Sequence, residues 1–326
     1  MNTSKLILRA AVIGALATTT TGAFAQASAA PAAAKPAAAP AAKASAQKTF
    51  PSPEEAAAAL VATVKARDVD GLLAIVGPTA KSWLFTGDKV ADENDWKKFV
   101  AAYDEKKGIK KVSDTKAELE VGADGWPFPA PLVKGAHGWY FDAEAGRVEL
   151  LNRRVGRNEL DTIQTLLAVV DAQREYAAKD MDGNGYADYA KRFRSTPGKK
   201  DGLYWPDEPG KPSSPLGPLM ATAAKEGYGK GAATDKPAPY HGYNYKLLTS
   251  QGKDAPGGAY DYVVGNKMLG GFAVVAYPAS YRVSGVVTFV VNHDGVVYEK
   301  DLGPQTAAMA SAMTRFNPDA TWKKAE

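Results

Sequence analysis

An Asp- and Gly-rich segment, DMDGNGYAD, carries the oxygen-bearing side chains that a calcium ion requires. Calcium loops between two helices bear ligands at positions 1, 3, 5, 7 and 9 of twelve, with glycine at position 6. The five ligand positions here fall on Asp180, Asp182, Asn184, Tyr186 (through its main-chain carbonyl) and Asp188, and glycine stands sixth. Because alternate residues of a tight loop point inward, this spacing predicts a structural Ca²⁺ site.

The last ligand of such a loop is a bidentate carboxylate at position 12, where this chain has Lys191. A complete site therefore requires a carboxylate from another part of the chain. The alternative is a polar turn that ends a helix, in which Asp and Asn side chains accept hydrogen bonds from nearby amides. If the loop binds calcium, we expect a dissociation constant of about 10⁻⁴ to 10⁻³ M, as in extracellular modules.

No catalytic constellation is recognisable in the sequence. His137, His241 and His293 are far apart, and neither an H-E-x-x-H nor a G-x-S-x-G motif occurs. His137 and His293 are expected in exposed turns, and His241, within PYHGYNY, is expected to pack against tyrosines. Asp261 and Glu299 could be brought together by a sheet for glycoside hydrolysis. We therefore predict a protein that is not an enzyme, with a carboxylate-dependent hydrolase of cell-wall or polysaccharide substrates as the alternative.

The N-terminus has the features of an export signal. Lys5 and Arg9 precede an apolar run that ends in an A-x-A motif at Ala25. The run is too short to span a bilayer, which requires about 20 apolar residues. We predict a signal peptide over residues 1–25, cleavage after Ala25, and a periplasmic or secreted protein with no transmembrane segment in its mature form. Residues 26–49, nearly all Ala, Pro and Lys, predict a flexible linker.

Charge and cysteine content narrow the function classes further. The net charge is +4, but residues 1–49 contain five basic side chains and no acidic one, so the remainder carries −1. This remainder contains no dense run of Lys and Arg interleaved with aromatic residues, so nucleic-acid binding is not expected. The absence of cysteine removes disulfides, thiol catalysis and thiolate metal sites.

The hydrophobic periodicity predicts helices followed by strands, twice. A helix begins at Pro53, and Ser52 caps it; strands follow over residues 116–151. A second helix is predicted to begin at a cap formed by Asn158, and its buried residues are Leu160, Ile163, Leu167 and Val170. It leads to the Asp/Gly loop, and strands with a hairpin turn at residues 292–295 follow. The predicted fold class is α+β, in two domains over residues 50–152 and 156–322, each with helices before an antiparallel sheet.

Several segments are similar to a known family. GWPFPAPLVKGAHGWYFD, GLYWP, SPLGPL and GGFAVVAYPASYRVSGVVTFVV resemble the uncharacterised bacterial exported family called domain of unknown function 2950 (DUF 2950). That resemblance implies an exported protein and no particular activity. Residues 50–152 also resemble the cone-shaped nuclear transport factor 2 and cystatin domains. Residues 156–322 resemble a pseudopilin head through Ala172, Gln173 and Tyr176, without its N-terminal assembly helix.

Aromatic residues beside Gly and Pro indicate where a partner could bind. Trp126 and Phe128 lie in one such stretch, and Tyr204 and Trp205 lie in another. Most aromatic residues pack in cores, but those in loops can also form sugar- or peptide-binding surfaces. We predict an exported, non-catalytic binding or assembly module whose partner is an envelope protein or a cell-wall polymer.

Overall fold

The computed structural model describes residues 47–229 and 238–325. The predicted signal peptide and residues 26–46 of the predicted linker lie outside this part of the chain. Residues 47–49, which the sequence assigns to the linker, are held against the fold: the Gln47 amide donates to the carbonyls of Ile75, Val76 and Phe141 at 2.8–3.1 Å. Within the described ranges, no helix has the length and apolar character needed to cross a membrane.

The N-terminal half is built from short helices and an antiparallel sheet. Its helices are α1 (Pro53–Ala66), α2 (Val69–Val76), α3 (Lys81–Leu84) and α4 (Lys89–Glu105), with a 3₁₀ turn at Pro78–Ala80. The predicted cap of α1 is confirmed, since the Ser52 hydroxyl accepts from the Glu55 amide at 3.2 Å. The strands are β1 (Lys107–Ser113), β2 (Lys116–Val121), β3 (Trp126–Pro127), β4 (Leu132–Gly135) and β5 (Gly138–Phe141).

These strands form the first sheet, in the order β1-β2-β4-β5, with β3 paired to β2. Strand β2 alternates between buried and half-buried residues, so that Ala117, Leu119 and Val121 face the helices. The apolar residues of α1 and α2 pack over this face and make the first core.

The longest helix, α5, spans Ala143–Ala177. The sequence prediction of strands up to residue 151 and a helix start at Asn158 is wrong, because the Asp142 side chain caps the helix by accepting from the Ala145 amide at 3.1 Å. Asn158 instead lies buried inside the helix and donates to the Ser284 carbonyl at 2.9 Å. The predicted buried stripe is also shifted: Leu160 is 63% exposed.

The C-terminal half packs an antiparallel sheet against the second part of α5. Its elements are α6 (Gly217–Glu226), β6 (Tyr243–Leu248), β7 (Ser250–Gln251), β8 (Tyr260–Asp261), β9 (Val263–Val264), β10 (Lys267–Met268), β11 (Ala273–Pro278), β12 (Thr288–Asn292), β13 (Val297–Lys300), a 3₁₀ turn at Gly303–Gln305, α7 (Thr306–Ala312), β14 (Arg315–Phe316) and β15 (Lys323–Lys324). The second sheet has the order β15-β13-β12-β11-β6. The hairpin predicted at residues 292–295 is confirmed between β12 and β13.

The second core lies between this sheet and α5. Leu166, Val169 and Val170 of the helix are buried with the central strands β11 and β12. The fold is therefore mixed α+β, as the sequence predicts. A single helix runs through residues 153–155, where the sequence separates two domains, and that division of the chain stays a prediction.

Substitution of two glycines of α5, Gly146 and Gly156, tests whether the helix is continuous from Ala143. A Cβ added to Gly156 would meet open space, whereas a Cβ on Gly146 would lie 2.5 Å from the Ala130 Cβ. Glycine in a helix interior destabilises by about 0.5–1 kcal/mol relative to alanine. We therefore expect Gly156→Ala to raise the free energy of unfolding by about that amount in urea denaturation. Gly146→Ala should lower it, because the added methyl group overlaps Ala130.

The two substitutions are chemically identical and lie on one helix, so each serves as the control for the other. A helix that began only at Asn158 would leave Gly156 outside it, and Gly156→Ala would then give no stabilisation.

Candidate functional site

The Asp/Gly loop follows the end of α5 and is wound around Asp180. The two carboxylate oxygens of Asp180 accept hydrogen bonds from the main-chain amides of Asn184 and Gly185, each at 2.9 Å. Asp182 accepts from the Asn184 amide at 3.1 Å, and the Asn184 side-chain oxygen accepts from the Tyr186 amide at 3.0 Å. The structure therefore links Asp180, Asp182 and Asn184 in a tight loop, and Gly185 at position 6 has φ = 87°. Both a calcium loop and a polar turn share these hydrogen bonds.

Three further side chains lie in or beside the loop. Asp188 is 4% exposed and accepts from the Asn184 side-chain amide at 3.1 Å. Lys191, at position 12, donates to the main-chain oxygen of Asn266 at 2.5 Å. Lys267 donates to the Asn184 carbonyl at 3.1 Å, so an ammonium group already lies beside the loop.

Tyr186 is half exposed, and the Lys267 amine lies 3.1 Å from the centre of its ring. In residues 47–229 and 238–325, no group of three or more His, Asp or Glu side chains is arranged to hold a metal ion. Calcium binding at this loop stays a prediction.

The histidines occupy three different environments. His241 packs against Tyr240 and Tyr228, with ring centres 4.1 and 5.9 Å away, which confirms the sequence prediction. Its two ring nitrogens lie 3.3 Å from carboxylate oxygens of Asp161 and Glu226, so it connects α5, α6 and the start of β6. Because the ring is held between carboxylates and tyrosine rings of three elements, we interpret this arrangement as structural.

The other two histidines lie in turns. His137 is exposed, as predicted. The prediction of an exposed His293 is wrong, because this side chain is half-buried beside Phe272 and Tyr262. Asp261 lies in β8, outside the sheet that contains Glu299 in β13.

The feature that sequence reasoning missed is a cavity of about 720 Å³ in the N-terminal half. It lies between α1, α2, α4, the first sheet and the N-terminal part of α5. Its lining is mainly apolar and includes Leu60, Leu72, Val76, Trp83, Phe99 and Phe128. The sequence signal for it is the aromatic pair Trp126 and Phe128. These two residues line the cavity together with helices that are distant in sequence, so the pair alone does not reveal it.

The mouth of the cavity is marked by exposed side chains. Trp126 is 45% exposed, and the Arg153 guanidinium lies 4.5 Å from the centre of its ring. Arg157 also lines the cavity and donates to Asp95 at 2.9 Å. Leu60 of the same lining is only 1% exposed, so the inner wall of the cavity is also part of the first core.

A single arginine lies deep in this apolar lining. Arg154 is 7% exposed and donates to the carbonyls of Trp83 and Leu84 at 2.8 and 3.3 Å. Burial lowers the pKa of its guanidinium, and the charges of Asp92 and Asp95 act in the opposite direction.

The acidic neighbours of Arg154 have other partners. Asp92 accepts from the Thr86 amide and hydroxyl, the latter at 2.8 Å, and Asp95 accepts from Arg157. Burial raises the pKa of Asp92, and the hydrogen bonds from Thr86 oppose that rise. No carboxylate of the described residues forms an ion pair with Arg154 within 4.0 Å.

Comparison with known proteins gives a family and no activity. The family model described as "Protein of unknown function (DUF2950)" matches residues 47–325, which include every residue that the structure describes. No curated protein and no solved structure matches. The similarities to pseudopilin heads and to cone-shaped domains therefore stay expectations. The chain belongs to the DUF2950 family.

Proposed function

We propose that this protein is an exported, non-catalytic binding module whose cavity in the N-terminal half receives an apolar ligand group. The observation that carries the proposal is the apolar cavity of about 720 Å³, a volume within the range of about 300–1,000 Å³ typical of small-molecule sites. Of the partners that the sequence predicts, an envelope protein or cell-wall polymer would fit only through an apolar group.

Packing favours an occupied cavity. Protein interiors are close-packed, and a void deprives its lining of dispersion contacts. Here aromatic and aliphatic side chains of α1, α2, α4, α5 and the first sheet border the cavity. An apolar group that enters would restore those contacts and leave water, which is favourable by about 25 cal/mol for each Å² of apolar surface buried.

The cavity supports binding better than hydrolysis. Glycoside hydrolysis requires two carboxyl groups about 5–9.5 Å apart that act on a polar sugar ring. The inner acidic side chains, Asp92 and Asp95, are held by Thr86 and Arg157 beside an apolar lining. The pair considered from the sequence, Asp261 and Glu299, does not line this cavity.

We propose in addition that the loop from Asp180 to Asp188 binds Ca²⁺ weakly. The support is the spacing of the ligand residues in the sequence, together with the winding of the loop around Asp180, which is compatible with a calcium loop. Such an ion would stabilise the link between the end of α5 and the β9–β10 hairpin, and it would take no part in ligand binding.

A cavity-filling variant tests the binding proposal. Purified mature protein is titrated with N-phenyl-1-naphthylamine, an uncharged probe whose fluorescence rises in apolar sites. We expect saturable binding, weakened about tenfold or more by Leu150→Trp, because Leu150 lines the cavity on α5 and a larger ring would occupy it. Val148→Trp is the matched control, since Val148 is 50% exposed on the same helix and does not line the cavity.

Absence of saturable probe binding to the wild-type protein would contradict the proposed function. Equal probe affinity of the wild-type protein and Leu150→Trp would mean that the probe binds outside the cavity, provided that circular dichroism shows both proteins to be folded. That result would also contradict the proposed function.

The calcium proposal is tested by thermal unfolding after chelator treatment. With a dissociation constant of about 1 mM, 10 mM calcium should stabilise by about 1.4 kcal/mol, which raises Tm by a few degrees. Magnesium should have a smaller effect, because it demands rigid octahedral geometry. Lys191→Glu should strengthen the calcium response by supplying the missing carboxylate at position 12.

Lys191→Met is the control for Lys191→Glu, because it also loses the hydrogen bonds to Asn266 but adds no oxygen ligand. If neither the wild-type protein nor Lys191→Glu responds to 10 mM calcium, the loop is a polar turn.

A further inference from the structure

Arg154 is buried in the cavity, and no carboxylate of the described residues pairs with it. Its guanidinium has five N–H donors, and the structure shows two bonds from it, to the carbonyls of Trp83 and Leu84. The side chain is more than nine-tenths buried and lines the cavity. A buried charge is costly unless it is paired and hydrogen-bonded, so this guanidinium has unused capacity for an anion.

Asp92 and Asp95 attract the charge of Arg154 from a distance, and no carboxylate of the described residues lies within 4.0 Å of it. Asp95 is paired with Arg157, and Asp92 is held by Thr86. Arg153 is bound to Glu149 and the Pro127 carbonyl at the mouth, where it stacks on Trp126. Arg154 is therefore the most buried cation of the lining, and within the described ranges no carboxylate lies within 4.0 Å of its guanidinium. Lys98, which also lines the cavity outside any ion pair of the described residues, is exposed.

We propose that the ligand is an anionic amphiphile, a single acyl-type chain with a carboxylate head, and that Arg154 binds the head. This inference rests on the proposed function and names its ligand class. The planar fork of arginine matches the two oxygens of a carboxylate, and charge-assisted pairs of this kind are stronger than neutral hydrogen bonds. The apolar lining around Arg154 provides the space for the chain.

The first test compares head groups on one chain in the wild-type protein. Dodecanoate, dodecanol and dodecyltrimethylammonium, each below its micelle concentration, compete with bound N-phenyl-1-naphthylamine. We expect dodecanoate to bind roughly tenfold more tightly than dodecanol, because one charge-assisted contact has about that effect on an affinity. The ammonium compound should bind more weakly than the alcohol, since its charge repels Arg154.

The second test removes the cation. Arg154→Met keeps an apolar side chain of similar length, and we expect it to lose the preference for dodecanoate while dodecanol binds as before. Arg154→Lys, which keeps the charge without the planar fork, should retain part of the preference. Arg147→Met is the matched control, because Arg147 lies on the same helix outside the cavity and pairs with Glu144.

The outcomes separate this inference from the proposed function. If the probe and dodecanol bind but dodecanoate gains nothing, the cavity is a binding site and the role of Arg154 is wrong. A preference that persists in Arg154→Met, or that disappears in Arg153→Met instead, also overturns it. If Arg154→Met does not fold, the head-group comparison in wild type and the Arg154→Lys variant decide. Failure of every compound to bind overturns both proposals.

Discussion

The continuity of α5 is the constraint on which both halves of the structure depend. A helix of 35 residues extends roughly 50 Å, about twice what one small core can cover. Its N-terminal part closes the cavity with Leu150 and Arg154, and its C-terminal part supplies Leu166 and Val170 to the second core. Because the helix is one rigid element, the position of the cavity wall relative to the second sheet is fixed by backbone hydrogen bonds.

Asp88 adds a second connection between the halves. It is 2% exposed and caps α4 by accepting from the amides of Val90 and Ala91. Its other oxygen accepts from the Tyr228 hydroxyl at 2.9 Å and the Gly242 amide at 3.0 Å. A buried carboxylate that receives four hydrogen bonds is well satisfied. It ties α4, which walls the cavity, to the segment that leads into β6.

Local sequence patterns predict those parts of the structure that depend on residues close together in the chain. The Ser52 cap, the β12–β13 hairpin and the α+β class follow from short motifs and periodicity. The start of α5 does not, because the sequence pattern predicts strands up to residue 151 and the contact of Gly146 with Ala130 is not visible in a local pattern. The cavity is equally non-local: Arg154 meets the Trp83 carbonyl, 71 residues earlier. For the Asp/Gly loop, the sequence predicts the gathering of side chains but not Lys267 beside them.

The burial of Arg154 is the observation on which the proposed anionic ligand depends. Burial of a charged group is costly unless it is paired and hydrogen-bonded, so stability alone does not favour a guanidinium beside Trp83 and Leu84. Two carbonyl hydrogen bonds offset only part of its lost hydration, and the nearby carboxylates are engaged elsewhere. A carboxylate that arrives with an apolar chain would complete the pairing at the moment the cavity fills. The same binding event would then give Arg154 a direct carboxylate partner and fill the cavity beside it.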